Sequence, residues 1–361
     1  MRSCPHLSNS AQESGANPAP QTALATCRSA VRLRNGCGTP PAGSSCNDHQ
    51  VSIDRIDAVL ADRLRAVRAD GVAVGVTSEK TTVFGAAGSV AGEPVADRAV
   101  MYAGSVAKQF IGLLMAYAIE AGLVTEDDQL IGWLPELPDW MADIRLRHLL
   151  HHTSGLADVT APSRRVPASN ADVFERLQRR RQPALDSPGR RCCYNNTGYV
   201  LLAEVVSRVF QRPIGPLAWE RIFRPLAMTR TWLSAVAPIP TTEPSPPGTL
   251  GDGGLWTTVA DLIGYLNALN CDLLDSAVVH RVETPGWLDD GTPLDYAWGV
   301  RVTASPAGRR ISHGGSWAGW LAKTVRLPER QIAVAVLSIG SQESAISELG
   351  TDLADQLAQC Q

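Results

Sequence analysis

The stretch from Ser105 to Ala121 constrains the fold more than any other part of the chain. Phe110, Ile111, Leu113, Leu114, Met115, Tyr117 and Ile119 leave it no polar stripe. A helix that is apolar all round has to be buried, so other elements must surround it. Gly122 supplies its stop. At its head stands Ser105-Val106-Ala107-Lys108. Positions i and i+3 of a helix share a face, which puts the Lys108 amine within reach of the Ser105 hydroxyl. A serine is a weak nucleophile until a base takes its proton. The first turn also offers unpaired N–H groups and a positive dipole end, which favour a developing oxyanion. Serine and lysine three apart recur by chance, so the pair gains meaning only from the rest of the chain.

Residues 1–50 are rich in Ser, Gly, Pro, Asn and Ala without periodicity and read as a disordered tail. From Val51, Ile53, Ile56, Leu60, Leu64 and Val67 recur at helical spacing, with Gly71 as the expected stop. Val72–Val76 and Thr81–Phe84 read as antiparallel strands joined around Ser78-Glu79-Lys80. Leu123–Pro135 reads as a compact loop, Leu146–His152 as a short helix, and 171–179 as a helix in a polar, Arg-rich segment. His148 and His152 are four apart, a metal-ligand spacing, but no Glu follows in the metalloprotease pattern. They read as structural histidines bonded to nearby loop backbone.

Cys192–Gly198 is a polar loop feeding an apolar helix, with Asn195 or Asn196 as its N-cap. Tyr194 and Asn196, two apart in an extended loop, point the same way. The proline-rich 235–248 is a loop, and Gly251–Thr258 a tight turn with Thr257 or Thr258 capping a helix over 259–269. Ala297–Val302, Arg309–Ser312, Trp320–Leu327 and Ile332–Leu337 read as an antiparallel meander. His313-Gly314-Gly315-Ser316 connects the second to the third, where glycines allow close approach of a ligand. Ser344–Leu357 closes the chain as an amphipathic helix.

The function classes excluded follow from charge and hydropathy. The 33 Lys+Arg against 36 Asp+Glu leave no basic excess for nucleic acid; Arg179–Arg181 and Arg190-Arg191 read as a solvated loop rim. No apolar run is long enough to span a membrane, and the first 50 residues lack the apolar core of a secretory signal. The eight cysteines include no C-x-x-C pair and form neither a zinc pattern nor a disulfide framework. A cytoplasmic, reduced location is the expectation, with export left open if the start is misassigned. No cofactor or metal is called for, and the oligomeric state is left open.

Ser105-x-x-Lys108, Tyr194-x-Asn196, Gly253-Gly254-Leu255-Trp256 and His313-Gly314-Gly315 stand in that order. This order resembles the serine β-lactamase and penicillin-binding-protein superfamily, in its class C-like branch of β-lactamases, D-Ala-D-Ala carboxypeptidases, D-aminopeptidases and esterases. The likeness covers 51–361 and extends to Leu149–Leu156 and Phe223–Thr231. It implies an α/β (α+β) fold: an antiparallel sheet flanked by helices and built from both chain ends (51–104 plus 293–361), with a mostly helical part (105–292) inserted and the site in the cleft between.

The resemblance also implies roles. Ser105 forms an acyl-enzyme, and Lys108 and Tyr194 share the base work, either of them being the proton acceptor. Asn196 orients Lys108 and bonds substrate. The backbone N–H groups of Ser105 and Ser316 form the oxyanion hole, with His313 and Gly315 on the substrate-binding side. Class C β-lactamases carry Lys-Thr-Gly where this chain has His313-Gly314-Gly315, so a permanent cation is replaced by a side chain mostly neutral at pH 7. That favours a peptidase or esterase acting on a small-molecule or peptide ester or amide. An acyltransferase with the same residues is the alternative.

Overall fold

The computed structural model describes residues 46–78, 81–160, 166–180, 185–240, 248–271 and 273–359, with side chains from 56 onward. Helix α1 (Cys46–Ala66) opens it. Cys46–Gln50 are therefore helical rather than part of the expected tail; residues 1–45 lie outside the described residues. Gly71, read as the helix stop, instead begins strand β1 (Gly71–Ser78). A Cβ at Gly71 would fall 2.8 Å from the Ser89 carbonyl oxygen, so the glycine serves close strand packing.

The elements then run β2 (Thr81–Val90), β3 (Glu93–Pro94), β4 (Met101–Tyr102), a 3-10 turn (Gly104–Val106) and α2 (Ala107–Glu120). Next come α3 (Leu130–Trp133), inside the expected loop, α4 (Leu146–Leu150), α5 (Asn170–Gln178), α6 (Asn196–Phe210) and α7 (Ile214–Ala218). They are followed by β5 (Trp232–Leu233), β6 (Leu255–Thr257), α8 (Val259–Asn270) and α9 (Ser276–Glu283). The chain ends with β7 (Arg301–Ser305), β8 (Gly308–Trp317), β9 (Trp320–Leu327), β10 (Ile332–Ile339) and α10 (Glu343–Gln359). Of the turn between β1 and β2, Glu79 and Lys80 lie outside the described residues.

Seven strands form one antiparallel sheet in the order β3-β2-β1-β10-β9-β8-β7, joining both ends of the chain. The central strands β1 and β10 are buried along their whole length. Their pattern alternates by size rather than by polarity. Val72, Val74, Val76, Val334 and Val336 pack with residues of α1 and α10 on one face. Ala73, Ala333 and Ala335 belong to the core on the other face, with α2 and α8. Gly75 lets α8 come close: a Cβ there would meet Ile263 at 2.5 Å.

Two expectations at the end of the chain are corrected. Ala297–Val300 is no strand but a tight turn, in which Ala297 N–H donates to Val300 O at 2.8 Å and Gly299 takes φ 81°. β7 therefore starts at Arg301. His313–Ser316, read as a connection, lies within β8, because pairing with β9 continues to Trp317↔Trp320. Helix α2 is buried as its sequence requires, ending at Glu120 ahead of Gly122 (φ 68°). A buried ion pair, Arg326 with Glu283, ties β9 to α9. Among the described residues, no helix is long and apolar enough to cross a membrane.

Candidate active site

Ser105 occupies the 3-10 turn ahead of α2 rather than the α-helix itself. Lys108 stands in the first turn of α2, three residues on, which puts its side chain on the face that carries Ser105. Lys108 is wholly buried, and its Nζ donates to Ser105 Oγ at 3.1 Å, Asn196 Oδ1 at 2.8 Å and Asp252 O at 2.7 Å. Two of these partners are pure acceptors; the third is a hydroxyl, which can also donate. An uncharged amine has two N–H groups and one lone pair. With the N–H groups on the two carbonyl oxygens, the lone pair is left for the Ser105 hydroxyl.

Tyr194 precedes α6 and is 44 % exposed. Its ring lies over Lys108, with Nζ 5.0 Å from the centroid. Asn195, not Asn196, caps the helix, Oδ1 accepting from Gly198 N–H at 3.0 Å. Asn196, at the first helical position, is thereby free to face Lys108, so Tyr194 and Asn196 both reach the same amine. Behind the tyrosine sits His152, its ring 4.4 Å from that of Tyr194 and 4.5 Å from that of Tyr296. His152 Nδ1 accepts from Asn195 N–H at 3.1 Å. Burial, reinforced by the Lys108 charge, holds His152 well below the ordinary histidine range. His148 Nδ1 accepts from Arg145 N–H, so both histidines of the metal-like spacing serve loop backbone.

His313 is buried and its ring is fully engaged. Nε2 lies 2.9 Å from the Tyr296 hydroxyl and Nδ1 lies 2.6 Å from Gly314 O. A ring with Nδ1–H donating to that carbonyl and Nε2 accepting from the phenol satisfies both contacts. Burial and then the Lys108 charge push its pKa down to about 3. The His313 side chain thus supports strand β8 from within and offers no cation at neutral pH.

β8 supplies the last part of the site. Ala318 (φ 45°) and Gly319 (φ 92°) make a two-residue turn between Trp317 and Trp320. The pair flanking such a turn exchanges hydrogen bonds and the next pair does not. Ser316 therefore points its N–H away from β9, toward the Ser105 turn. A Cβ on Gly104 (φ 51°) would lie 3.1 Å from Ser316 N, and one on Gly315 would lie 3.2 Å from Ser105 N. β7 pairs with β8 only as far as Ser312, which leaves the edge from His313 to Ser316 open to a cleft of 410 Å³. Ser105, Tyr194, Asn196, His313, Gly315 and Ser316 all line it, with Lys108 beneath.

Sequence reasoning missed Asp158, Asp252 and Tyr296. Asp158 accepts from both the backbone and the side-chain amide of Asn196. Asp252 acts through a backbone carbonyl, which any residue carries. Tyr296 reaches His313 from the position just before the turn at Ala297–Val300. No periodicity marks any of them.

The β-lactamase family model matches residues 56–359. Penicillin-binding protein 4* of Bacillus subtilis is 26% identical over 291 residues, covering 71% of this chain and 64% of its own length. The D-aminopeptidase of Brucella ovis is 25% identical over 260 residues, covering 64% of this chain and 48% of its own. The chain thus spans between about half and two thirds of these relatives. Among solved structures, a β-lactamase/D-alanine carboxypeptidase from Yersinia pestis aligns with TM-score 0.72 at 20% identity, over 86% of this chain and 99% of that one. A D-stereospecific amidohydrolase from Streptomyces sp. aligns with TM-score 0.66 at 20% identity, over 82% and 98%. At these identities the structural likeness is one of fold.

Proposed function

The chain belongs to the β-lactamase family, and on that footing we propose that it is a serine hydrolase working through an acyl-enzyme on Ser105. The observation that carries this reading is the Lys108 amine, buried and 3.1 Å from Ser105 Oγ. In its uncharged form the amine takes the hydroxyl proton as Oγ attacks a carbonyl carbon. The oxyanion forms against the N–H groups of Ser105 and Ser316. The hydroxyl of Tyr194, whose ring lies over Lys108, relays a proton to the leaving group. Water then attacks the acyl-enzyme with the same groups as base. The three domain segments expected from the sequence fit this scheme, the nucleophile and its base coming from the helical part and one oxyanion donor from the sheet.

The substrate we propose is a small ester, amide or peptide, as in the D-aminopeptidase and carboxypeptidase relatives. His313 is neutral and internally bonded, so it does not supply the cation that suits a β-lactam carboxylate. The test is hydrolysis of a p-nitrophenyl ester, a D-amino-acid p-nitroanilide and a chromogenic cephalosporin by the protein and by Ser105→Ala. The expected result is turnover of the ester or the anilide well above that of the cephalosporin, abolished in Ser105→Ala together with labelling by a fluorescent phosphonate. Full activity in Ser105→Ala overturns the serine mechanism.

A further inference from the structure

The acylation route above leaves one buried carboxyl idle, that of Asp252. Its backbone oxygen holds Lys108 Nζ at 2.7 Å. Its side-chain Oδ1 is buried without a hydrogen-bond partner, the one carboxylate oxygen in that condition among the described residues. Burial pushes this carboxyl upward, and the strongest influence opposing that is the charge of Lys108, followed by the Thr249 hydroxyl. The other ionisable groups facing it are Asp158, which raises it further, and the Tyr102 phenol, itself raised by burial and by Asp252.

When Lys108 takes the Ser105 proton, a full positive charge appears in a buried site. Asn196 Oδ1 and Asp252 O meet it only as dipoles. The Asp158 carboxylate lies one hydrogen bond further back, behind Asn196, and is already occupied. It accepts from Asn196 N–H and Nδ2–H, the Thr197 hydroxyl, and Thr160 N–H and hydroxyl. Asp252 is less tied: one hydroxyl, that of Thr249, lies close enough to favour its charged form, and its Oδ1 accepts no well-formed hydrogen bond. A buried oxygen left without a donor is costly, and a cation forming beside it offsets that cost.

We propose that the Asp252 carboxylate is the counter-charge for Lys108, stabilising the ammonium that forms as Ser105 is acylated. It exchanges no proton and touches no substrate; it is a positioning residue acting through Lys108. The inference rests on the acyl-enzyme reading.

The experiment is the pH dependence of kcat/KM for a p-nitrophenyl ester in the full chain and in Asp252→Asn and Asp252→Glu, with Tm as the check on folding. An opposite charge nearby favours the charged form of a base, so its removal is read in the acid limb of the profile. Asp252→Asn should move the acid limb to lower pH by about one unit and reduce the plateau by about 10²-fold at little-changed KM. Asp252→Glu, which keeps the charge, should keep the limb. If Asp252→Asn fails to fold, Asp252→Ser carries the same expectation. A lower plateau with an unmoved limb in a folded, uncharged variant overturns the proposal. The underlying reading fails separately, if Ser105→Ala remains active.

Discussion

Asp158 Oδ2 accepts from both the backbone N–H and the side-chain Nδ2–H of Asn196, at 3.2 and 3.1 Å. This clamp fixes which end of the Asn196 amide faces Lys108, since the nitrogen is held by the carboxylate and the oxygen is left for Nζ. Asp158→Asn puts a second amide where a pure acceptor is needed. The expected outcome is a kcat/KM lower by about 10–100-fold, the size seen when an outer partner orienting a functional ligand is lost. The Thr160 and Thr197 bonds to Oδ1 can be kept by the amide oxygen, so stability should fall by about 1–3 kcal/mol from the lost Asn196 bonds alone. Steady-state kinetics and urea unfolding check the two arms.

Tyr194→Phe separates the ring from the hydroxyl. The ring's contact with Lys108 and its packing on His152 survive, so Tm should be nearly unchanged. Loss of the hydroxyl should lower kcat by about 10²–10⁴, the usual worth of a positioned proton-transfer group. An unaltered kcat and pH–rate profile would remove Tyr194 from proton transfer.

The path from sequence to site was uneven for physical reasons. Ser105, Lys108, Tyr194 and Asn196 were legible because each sits at the start of a strongly apolar helix, where pattern and motif coincide. The helix after Asn195 was legible for the same reason, its cap left open between Asn195 and Asn196, whereas the sheet built from both chain ends came from the family resemblance. Asp158 was not, because its role depends on meeting Asn196 across 38 residues of chain. His313 was found as a neutral residue lining the cleft, but its internal bonds were not foreseen. Its residue type points to a neutral group in the cleft, whereas the partners that fill both ring nitrogens, Tyr296 and Gly314 O, are set by tertiary packing. The strand boundary at Arg301 was missed because Ala297–Val300 has the composition of a strand and the backbone of a turn.

Gly314 and Gly315 are neighbours in β8 with opposite tolerances. A Cβ on Gly315 would fall 2.0 Å from Ala103 O, a backbone atom that cannot yield without moving the Ser105 turn. A Cβ on Gly314 would meet nothing nearer than 3.7 Å. Gly315→Ala should therefore lower Tm and abolish ester turnover by pushing β8 away from Ser105. Gly314→Ala should fold normally with its Tm unchanged. Equal behaviour of the two variants would mean that the approach of β8 to the Ala103–Ser105 backbone is looser than this geometry requires.

His313 ties the site to the acid stability of the whole fold. Its pKa is about 3 in the folded chain, against 6.5 for an ordinary histidine, chiefly through burial and then through Lys108. Below about pH 6.5 the unfolded chain binds a proton there that the folded chain does not. The stability held by the neutral ring is thus complete above about pH 6.5. It is lost as pH falls, at about 1.4 kcal/mol per unit, until the folded ring protonates near pH 3. His148, lowered to about 4, adds to the same slope. His313→Asn can still donate to Gly314 O but has no proton to take up. Urea unfolding between about pH 6.5 and 5 should show stability falling by about 1.4 kcal/mol per unit less steeply in this variant than in the parent chain. Parallel slopes would mean that His313 is charged in the folded protein, adding a cation to those of Arg301 and Lys323 that already line the cleft.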